Sequence, residues 1–204
     1  RFYPQSFEFS TLGGWIATRA GGHYCTLYTH IDDILQSVRV VTPTGVHETR
    51  RLPASGAGPS QERLWLGSEG TLGVITEAHI RLHARPCFRS SATVTFPDFL
   101  TGAEAVRLLS QSKLYPVNCR LVSPLEAVAM GMGDGRHAVL LLGFESEGFS
   151  QKSIMNQALG ICRAQGGKCA SRRVKHTESK TVRSGSTGRW RRNFIKAPYI
   201  RDVM

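Results

Sequence analysis

The 204-residue chain is 41% hydrophobic and 20% charged, a balance that supports a packed core and excludes wholesale disorder. Its longest uninterrupted apolar run, Ala138 to Leu142, is far too short to cross a bilayer. The net charge of +11 is local: residues 163–201 hold 12 Lys and Arg against the single acid Glu178. Such a stretch can bind a phosphate or a polyanion, or face solvent. The N-terminal RFYPQSFEFS lacks the apolar segment of a signal peptide. The five cysteines are widely spaced with no Cys-x-x-Cys pair, which disfavours zinc and a disulfide framework and suggests reduced thiols inside a cell. With no initiator Met, and a terminus (Tyr199 to Met204) that reads as a helix begun and cut short, the chain is expected to be a piece of a longer protein.

In chain order, Leu35 to Val41 reads as a strand that turns at Thr42-Pro43-Thr44-Gly45 and returns over Val46 to Arg50. Residues 53–60 are a loop by composition. Val74, Thr76, Ala78, Ile80 and Leu82 alternate with Glu77, His79 and Arg81, predicting a half-buried strand that stops before Pro86. A boundary is placed there, giving domains 1–86 and 87–204. Beyond it the pattern predicts a strand over Ala92 to Phe96. A helix follows from about Leu100 to Ser112, with Ala103, Val106 and Leu109 on its apolar face. Next come a strand at Asn118 to Val122, a helical turn at Leu125 to Met130 and a buried strand at His137 to Phe144. A helix over Ser153 to Ala164 aligns Ile154, Ala158 and Ile161, with Ser150 as cap and Phe149 as staple. Lys168 to Val174 reads as a last strand. Strands alternating with helices predict an α+β fold, an antiparallel sheet with helices on one face.

Two glycine-bearing stretches could carry chemistry. Leu66-Gly67-Ser68-Glu69-Gly70-Thr71-Leu72-Gly73-Val74-Ile75 leaves main chain bare for a large polar ligand, but leads into a strand, unlike a Rossmann fingerprint. Ser6 to Gly22 combines paired hydroxyls, two Gly-Gly steps, Trp15 and Arg19, a composition able to wrap a phosphate or ring system. Either alone reads more readily as an ordinary turn or surface loop. Gly131-Met132-Gly133-Asp134-Gly135 has too few carboxylates for a calcium loop and reads as a turn, and no metal site is expected.

In this order, FEFSTLGGWIATRAGG, VVTPTGVHE and LGSEGTLGVITEAHIRL resemble the flavin-binding domain of the vanillyl-alcohol-oxidase-like (PCMH-type) FAD enzymes. The Ser-Phe-Glu-Phe-Ser-Thr and Thr-Arg-Ala variants are similar to alkyldihydroxyacetonephosphate synthases and their bacterial FAD-linked oxidoreductase relatives. The resemblance implies the C-terminal half of a PCMH-type domain followed by the start of an α+β cap. It implies FAD contacts from Gln5, Ser6, Phe7, Glu8, Phe9, Ser10 and Thr11, from Thr18, Arg19, Ala20 and Gly21, and from Glu69, Gly70, Thr71, Leu72, Gly73, Val74 and Ile75. Gln5 and Gly21 depart from the residues usual in the synthases, Asp and Ser. The family's pyrophosphate loop would lie upstream and its tyrosine acid/base downstream.

Arg120 matches the arginine beside the flavin, a catalytic and substrate-binding position, and Arg201 matches a substrate-binding arginine. The implied reaction exchanges the acyl chain of acyl-dihydroxyacetone phosphate for a fatty alcohol, in ether lipid synthesis. The alternative is oxidation of a 2-hydroxy acid such as lactate or glycolate. Either way the partner is a small lipid or hydroxy acid bearing phosphate or carboxylate, with no nucleic acid. A homodimer is compatible with both, and the compartment would be the cytoplasm of a bacterium or the peroxisome of a eukaryote. A basic nucleic-acid-binding module built on residues 163–201 is the rival from another class, disfavoured by the lack of a recognisable motif.

Overall fold

The structure is a computed structural model and describes residues 2–4, 7, 9–52 and 56–179. The chain divides into two compact units, Arg1–Ala84 and Arg85–Met204, two residues before the Pro86 at which the sequence pattern changes.

In the first unit, short helices α1 (Leu12–Ala17), α2 (Cys25–Tyr28) and α3 (Ile31–Ile34) precede strands β1 (Leu35–Thr42) and β2 (Gly45–Glu48). Helix α4 (Glu62–Trp65) and strand β3 (Val74–Ile80) follow. The strands form an antiparallel sheet in the order β2-β1-β3. The β1–β2 hairpin turns where the Pro and Gly of Thr42-Pro43-Thr44-Gly45 require, and Thr42 Oγ1 donates to the Gly45 carbonyl at 3.0 Å. Val38 and Val40 of β1 meet Ile16, Ile31, Ile34, Trp65 and Leu66 in one core.

The strict alternation expected along β3 is not what the structure shows. Arg39 pairs with Glu77 but Val40 pairs with Ile75, so Thr76 is an extra residue, a β-bulge that inverts the phase of the strand. Ile75 therefore packs on the core with Ala78 and Ile80, while Val74, expected inward, is exposed; Leu82, also expected inward, lies past the end of β3 and is exposed as well.

The second unit runs β4 (Phe88–Phe96), α5 (Phe99–Gln111), β5 (Asn118–Val122), α6 (Pro124–Ala129), β6 (Ala138–Ser146), α7 (Lys152–Ala164), a 3-10 turn (Ser171–Arg173) and β7 (Val174–Glu178). Its antiparallel sheet has the order β5-β6-β4-β7. Period-2 side chains of β4 and β6 (Ala92, Val94, Phe96; Ala138, Leu140, Leu142, Phe144) face α5 and α7 in the main core. Residues one step out of phase, Val139 and Leu141 with Val122, face the other way and meet Ala127 of α6. Helices thus cover both faces of the sheet rather than one, because β6 is apolar at nearly every position instead of alternating.

Several local expectations shift. Helix α5 buries Gly102, Ala105 and Leu109 rather than Ala103, with Val106 only partly buried. Gly102 sets this rotation: a Cβ there would stand 2.7 Å from Leu121 Cδ1, so the helix settles on its least bulky position. Asp98 caps it, accepting from the Thr101 amide at 2.8 Å, and this bond holds its carboxyl below the usual range. Helix α7 buries Met155, Ala158, Leu159 and Cys162, with Ile154 and Ile161 only partly buried at the margins. Its N-cap is Gln151, not Ser150. Phe149 is exposed rather than a staple, because Ser146 Oγ ties the Phe149 backbone at 2.8 and 2.9 Å. The last strand starts at Val174 rather than Lys168, which makes only an isolated bridge to Thr95.

Arg89 and Glu145, paired across β4 and β6, form an ion pair at 3.6 Å with the Glu145 side chain wholly buried and that of Arg89 20% exposed. Removing one partner of a buried ion pair is costly, so Arg89→Ala should destabilise the protein by about 3 kcal/mol. The double Met variant Arg89→Met/Glu145→Met should cost clearly less, as read by urea denaturation.

Candidate functional site

The first glycine-bearing stretch folds around α1. Thr11 caps this helix, its Oγ1 accepting from the Gly14 amide at 3.1 Å, and Ser10 Oγ accepts from Trp15 Nε1 at 2.6 Å. The helix ends in a Schellman turn: the Ala20 amide donates to the Trp15 carbonyl (2.9 Å) and the Arg19 amide to that of Ile16 (3.3 Å). Arg19 occupies the left-handed position, φ 50°, where glycine is usual and a side chain costs about 1 kcal/mol.

The second stretch is a run of left-handed bends, with Gly67, Glu69 and Gly70 at φ 72°, 52° and 78°. Within it the Ser68 amide donates to the Trp65 carbonyl at 3.3 Å and the Thr71 amide to that of Ser68 at 2.9 Å. Thr71 Oγ1 donates to the Ser68 carbonyl at 2.7 Å, which closes the loop.

These stretches, some 50 residues apart in sequence, are joined by main-chain bonds. The Gly67 amide donates to the Ile16 carbonyl and the Glu69 amide to that of Ala17, both at 3.0 Å. The Arg19 side chain lies across Gly67. Thr11, Thr18, Arg19, Glu69, Gly70, Thr71 and Leu72 are exposed, while Ser10, Ala20, Gly21, Gly73 and Ile75 are half-buried. Val74 leaves β3 on the exposed side in register with Val41, which is in turn in register with Val46, so an exposed apolar row borders the loop. Phe7 and Phe9 precede α1, and Phe9 is exposed. Gln5, Ser6, Glu8 and Arg201 lie outside the described residues.

The hydroxyls in these stretches shape the loops as much as they offer bonds: Thr18 donates to the Gly14 carbonyl (2.9 Å) and Thr71 to Ser68. What remains for a ligand is chiefly main chain. At Gly70 no atom lies within 4 Å of where a Cβ would stand, so the bend offers bare backbone to an open side. Gly73 is small for another reason: a Cβ there would lie 2.6 Å from the Val41 carbonyl oxygen, inside the sheet. An extended ligand lying along this bare bend and flanked by valines fits the open side of the loop, and FAD is such a molecule.

In the second unit, Arg120 projects from β5 on the α6 side of the sheet, its side chain 25% exposed. Its Nη2 donates to Glu126 Oε1 at 2.5 Å. Glu126 went unnoticed in the sequence; the Ser123-Pro124-Leu125-Glu126 spacing signals a helix start, but not where the carboxylate turns. A separate cleft of 250 Å³ at the edge of this unit is lined by Phe88, Ser90, Gln151, Lys152 and His176, and includes no residue expected to bind. Asp134 accepts from the Arg136 and His137 amides and pairs with the His137 ring at 2.7 Å, which closes the glycine-rich turn. Among the described residues, no group of three His, Cys, Asp or Glu side chains is placed to hold a metal, and no helix is long and apolar enough to cross a membrane. Burial pushes the Cys119 thiol up to about 11. It pushes that of Cys162, with the neighbouring thiols adding to it, to about 12.

Residues 1–50 match the FAD binding domain family, and FAD, the cofactor expected from the sequence, is what that family binds. The chain is 45% identical over 123 residues to an alkyldihydroxyacetonephosphate synthase of Dictyostelium discoideum, covering 60% of this chain and 20% of that protein. With the synthase of Trypanosoma brucei brucei the identity is 25% over 225 residues, 98% of this chain and 35% of the relative. A mitochondrial D-lactate dehydrogenase (cytochrome) of Arabidopsis thaliana is 33% identical over 63% of this chain and 23% of its own length. A solved alkyldihydroxyacetonephosphate synthase superposes with a TM-score of 0.76 at 30% identity, over 99% of this chain and 40% of that one. The chain therefore spans between a fifth and two fifths of the length of these relatives.

Two outcomes follow from the glycines and the thiols. Gly73→Ala should destabilise the first unit by about 2 kcal/mol through the clash with β1, whereas Gly70→Ala, in open space at positive φ, should cost about 1 kcal/mol; chemical denaturation checks the order. Because the thiolate is the reactive form, Cys119 and Cys162 should resist iodoacetamide at pH 8 in the native protein and react on unfolding, as read by mass spectrometry.

Proposed function

We propose that this chain, whose first 50 residues match the FAD binding domain family, is part of an FAD-dependent enzyme of the alkyldihydroxyacetonephosphate synthase kind. The first unit would be the C-terminal portion of the flavin-binding domain and the second unit the beginning of the cap. The observation that carries this reading is the pair of amide bonds from Gly67 and Glu69 to the Ile16 and Ala17 carbonyls. They set the two expected FAD stretches side by side with an open glycine bend between exposed residues.

In this reading the main chain of Phe9 to Thr11, Thr18 to Gly21 and Glu69 to Ile75 holds the cofactor, together with Gln5 to Glu8. Bound FAD supplies the electrophilic ring on which the exchange of an acyl chain for a fatty alcohol depends. Arg120 and Arg201 bind the substrate phosphate, for which a planar guanidinium fork is suited. The substrate is acyl-dihydroxyacetone phosphate; the partners are small molecules rather than nucleic acid, and the site of action is inside the cell. The likeness to a D-lactate dehydrogenase supports a second reading, in which the same arginines hold the carboxylate of a 2-hydroxy acid. Anaerobic mixing separates the two: bleaching of the flavin by lactate or glycolate favours the second, and exchange of labelled fatty alcohol into the lipid favours the first.

In the full-length protein, Gly70→Val should lower FAD occupancy, read from flavin absorbance after purification; full occupancy in a folded variant would remove that loop from the cofactor site. Arg120→Lys and Arg201→Lys keep charge but lose the fork. Each should lower kcat/KM about thirtyfold, on the order of 2 kcal/mol, with FAD content unchanged. Arg191→Lys, in the basic stretch but outside both motifs, should have little effect.

A further inference from the structure

Within the described residues, the charge excess of the chain gathers along one edge of the second unit. From the last turn of α7 to β7, Arg163, Lys168, Arg172, Arg173 and Lys175 are all exposed. None of the five forms an ion pair with a described residue, whereas Arg89, Arg107 and Arg120 of the same unit each do. Lys168 and Lys175 stand opposite Thr95 and Ser91 of β4, four residues and therefore about 13 Å apart. Arg163 and Arg173 both bear on the thiol of Cys169, the residue after Lys168. The one acid of this stretch, Glu178, stands opposite Phe88 at the far end of β7.

Like charges this close repel one another, at separations comparable to a Debye length of about 10 Å. Local structure accounts for two of them. Arg163, in the last turn of α7, meets the negative end of the helix dipole, and Lys175, on the edge strand β7, discourages pairing with another chain. Lys168, Arg172 and Arg173 have no such local use. They stand apart from Arg120 as well, since β5 and β7 are opposite edges of the sheet. Nor do they converge on a pocket: the 250 Å³ cleft of this unit is lined by none of the five. Charges strung along an edge suit an extended anionic surface. Residues 163–179 contain no Phe, Trp or Tyr on which a base could stack, which disfavours nucleic acid.

We propose that this basic edge, Arg163 with Lys168, Arg172, Arg173 and Lys175, is where the protein rests on an anionic lipid bilayer. The choice of a bilayer rests on the reading of the reactants as a phosphate bearing an acyl chain and a fatty alcohol, molecules whose chains leave water for a membrane. Surface charge attaches a protein without any segment crossing the bilayer: each basic residue near anionic headgroups raises partition about fivefold. The effect fades within a Debye length, so only residues lying on the contact contribute. The edge holds the protein reversibly at the source of its reactants and takes no part in the chemistry.

The test is co-sedimentation of the full-length FAD-loaded protein with vesicles of phosphatidylcholine, with and without phosphatidylserine. Binding is expected only where phosphatidylserine is present, and should fall steeply with added salt. The triple variant Lys168→Gln/Arg172→Gln/Arg173→Gln should lower the partition coefficient about a hundredfold. Its flavin content, its melting temperature and its exchange activity on substrate in neutral detergent should stay at wild-type levels. Lys113→Gln/Arg136→Gln/Lys152→Gln removes the same charge from exposed positions elsewhere in the unit, and should change partition less than about threefold. Equal binding to pure phosphatidylcholine, no binding to either vesicle, or equal losses in the two triple variants would each overturn the proposal. So would tighter binding to duplex DNA than to the vesicles at the same salt, which assigns the edge to nucleic acid. Vesicle binding is read without turnover. A wild-type enzyme that exchanges no fatty alcohol would therefore remove the lipid-substrate reading and leave the binding result to decide the edge by itself.

Discussion

Two main-chain hydrogen bonds, from the Gly67 and Glu69 amides to the carbonyls that end α1, organise the first unit around its glycine-rich loop. A helix of one and a half turns is marginal by itself, and its last carbonyls would otherwise seek water or a cap. By accepting amides from a loop 50 residues onward, they fix where that loop turns, and the loop then feeds β3 into the sheet beside β1. The left-handed residues Gly67, Glu69 and Gly70 are the geometric cost of that docking. Their return is a bare backbone bend at Gly70 that faces open space rather than protein.

The second unit solves a different problem. A four-stranded sheet with one apolar face would leave the other to water, yet β6 is buried at most positions on both sides. Helices α5 and α7 cover one face with a large core, and α6 covers a corner of the other with a small one. The remainder of that second face is charged or polar: Arg89 with the buried Glu145, and Arg120 with Glu126. A charge buried on a sheet face, as Glu145 is, is costly without a partner. Here the charges arrive already paired, one pair across neighbouring strands and the other between a strand and the helix that follows it.

Much of this was written in the chain. Thr42-Pro43-Thr44-Gly45 determines a hairpin by φ restriction alone, and the apolar periodicities of α5 and α7 determine two amphipathic helices within a residue or so of their ends. The two glycine-bearing stretches stood out because their glycines, hydroxyls and order carry the resemblance to flavin-binding domains. Arg120 was singled out only through family likeness; nothing in Asn-Cys-Arg-Leu-Val distinguishes it from a surface arginine.

Tertiary structure alone decided the rest. The bulge at Thr76 comes from matching β3 to β1 across the sheet, so no count along β3 could show that Val74 would face outward and Ile75 inward. The roll of α5 onto Gly102 follows from the position of Leu121 on another element, and the displacement of the α7 cap from Ser150 follows from Ser146 holding the Phe149 backbone. The diversion of Glu126 from its own helix to Arg120 depends on a strand and helix meeting at one corner. Local sequence sets propensity and period, because those energies arise between near neighbours in the chain. Phase, facing and partner are set by contacts between distant residues, and those exist only once the sheets have formed.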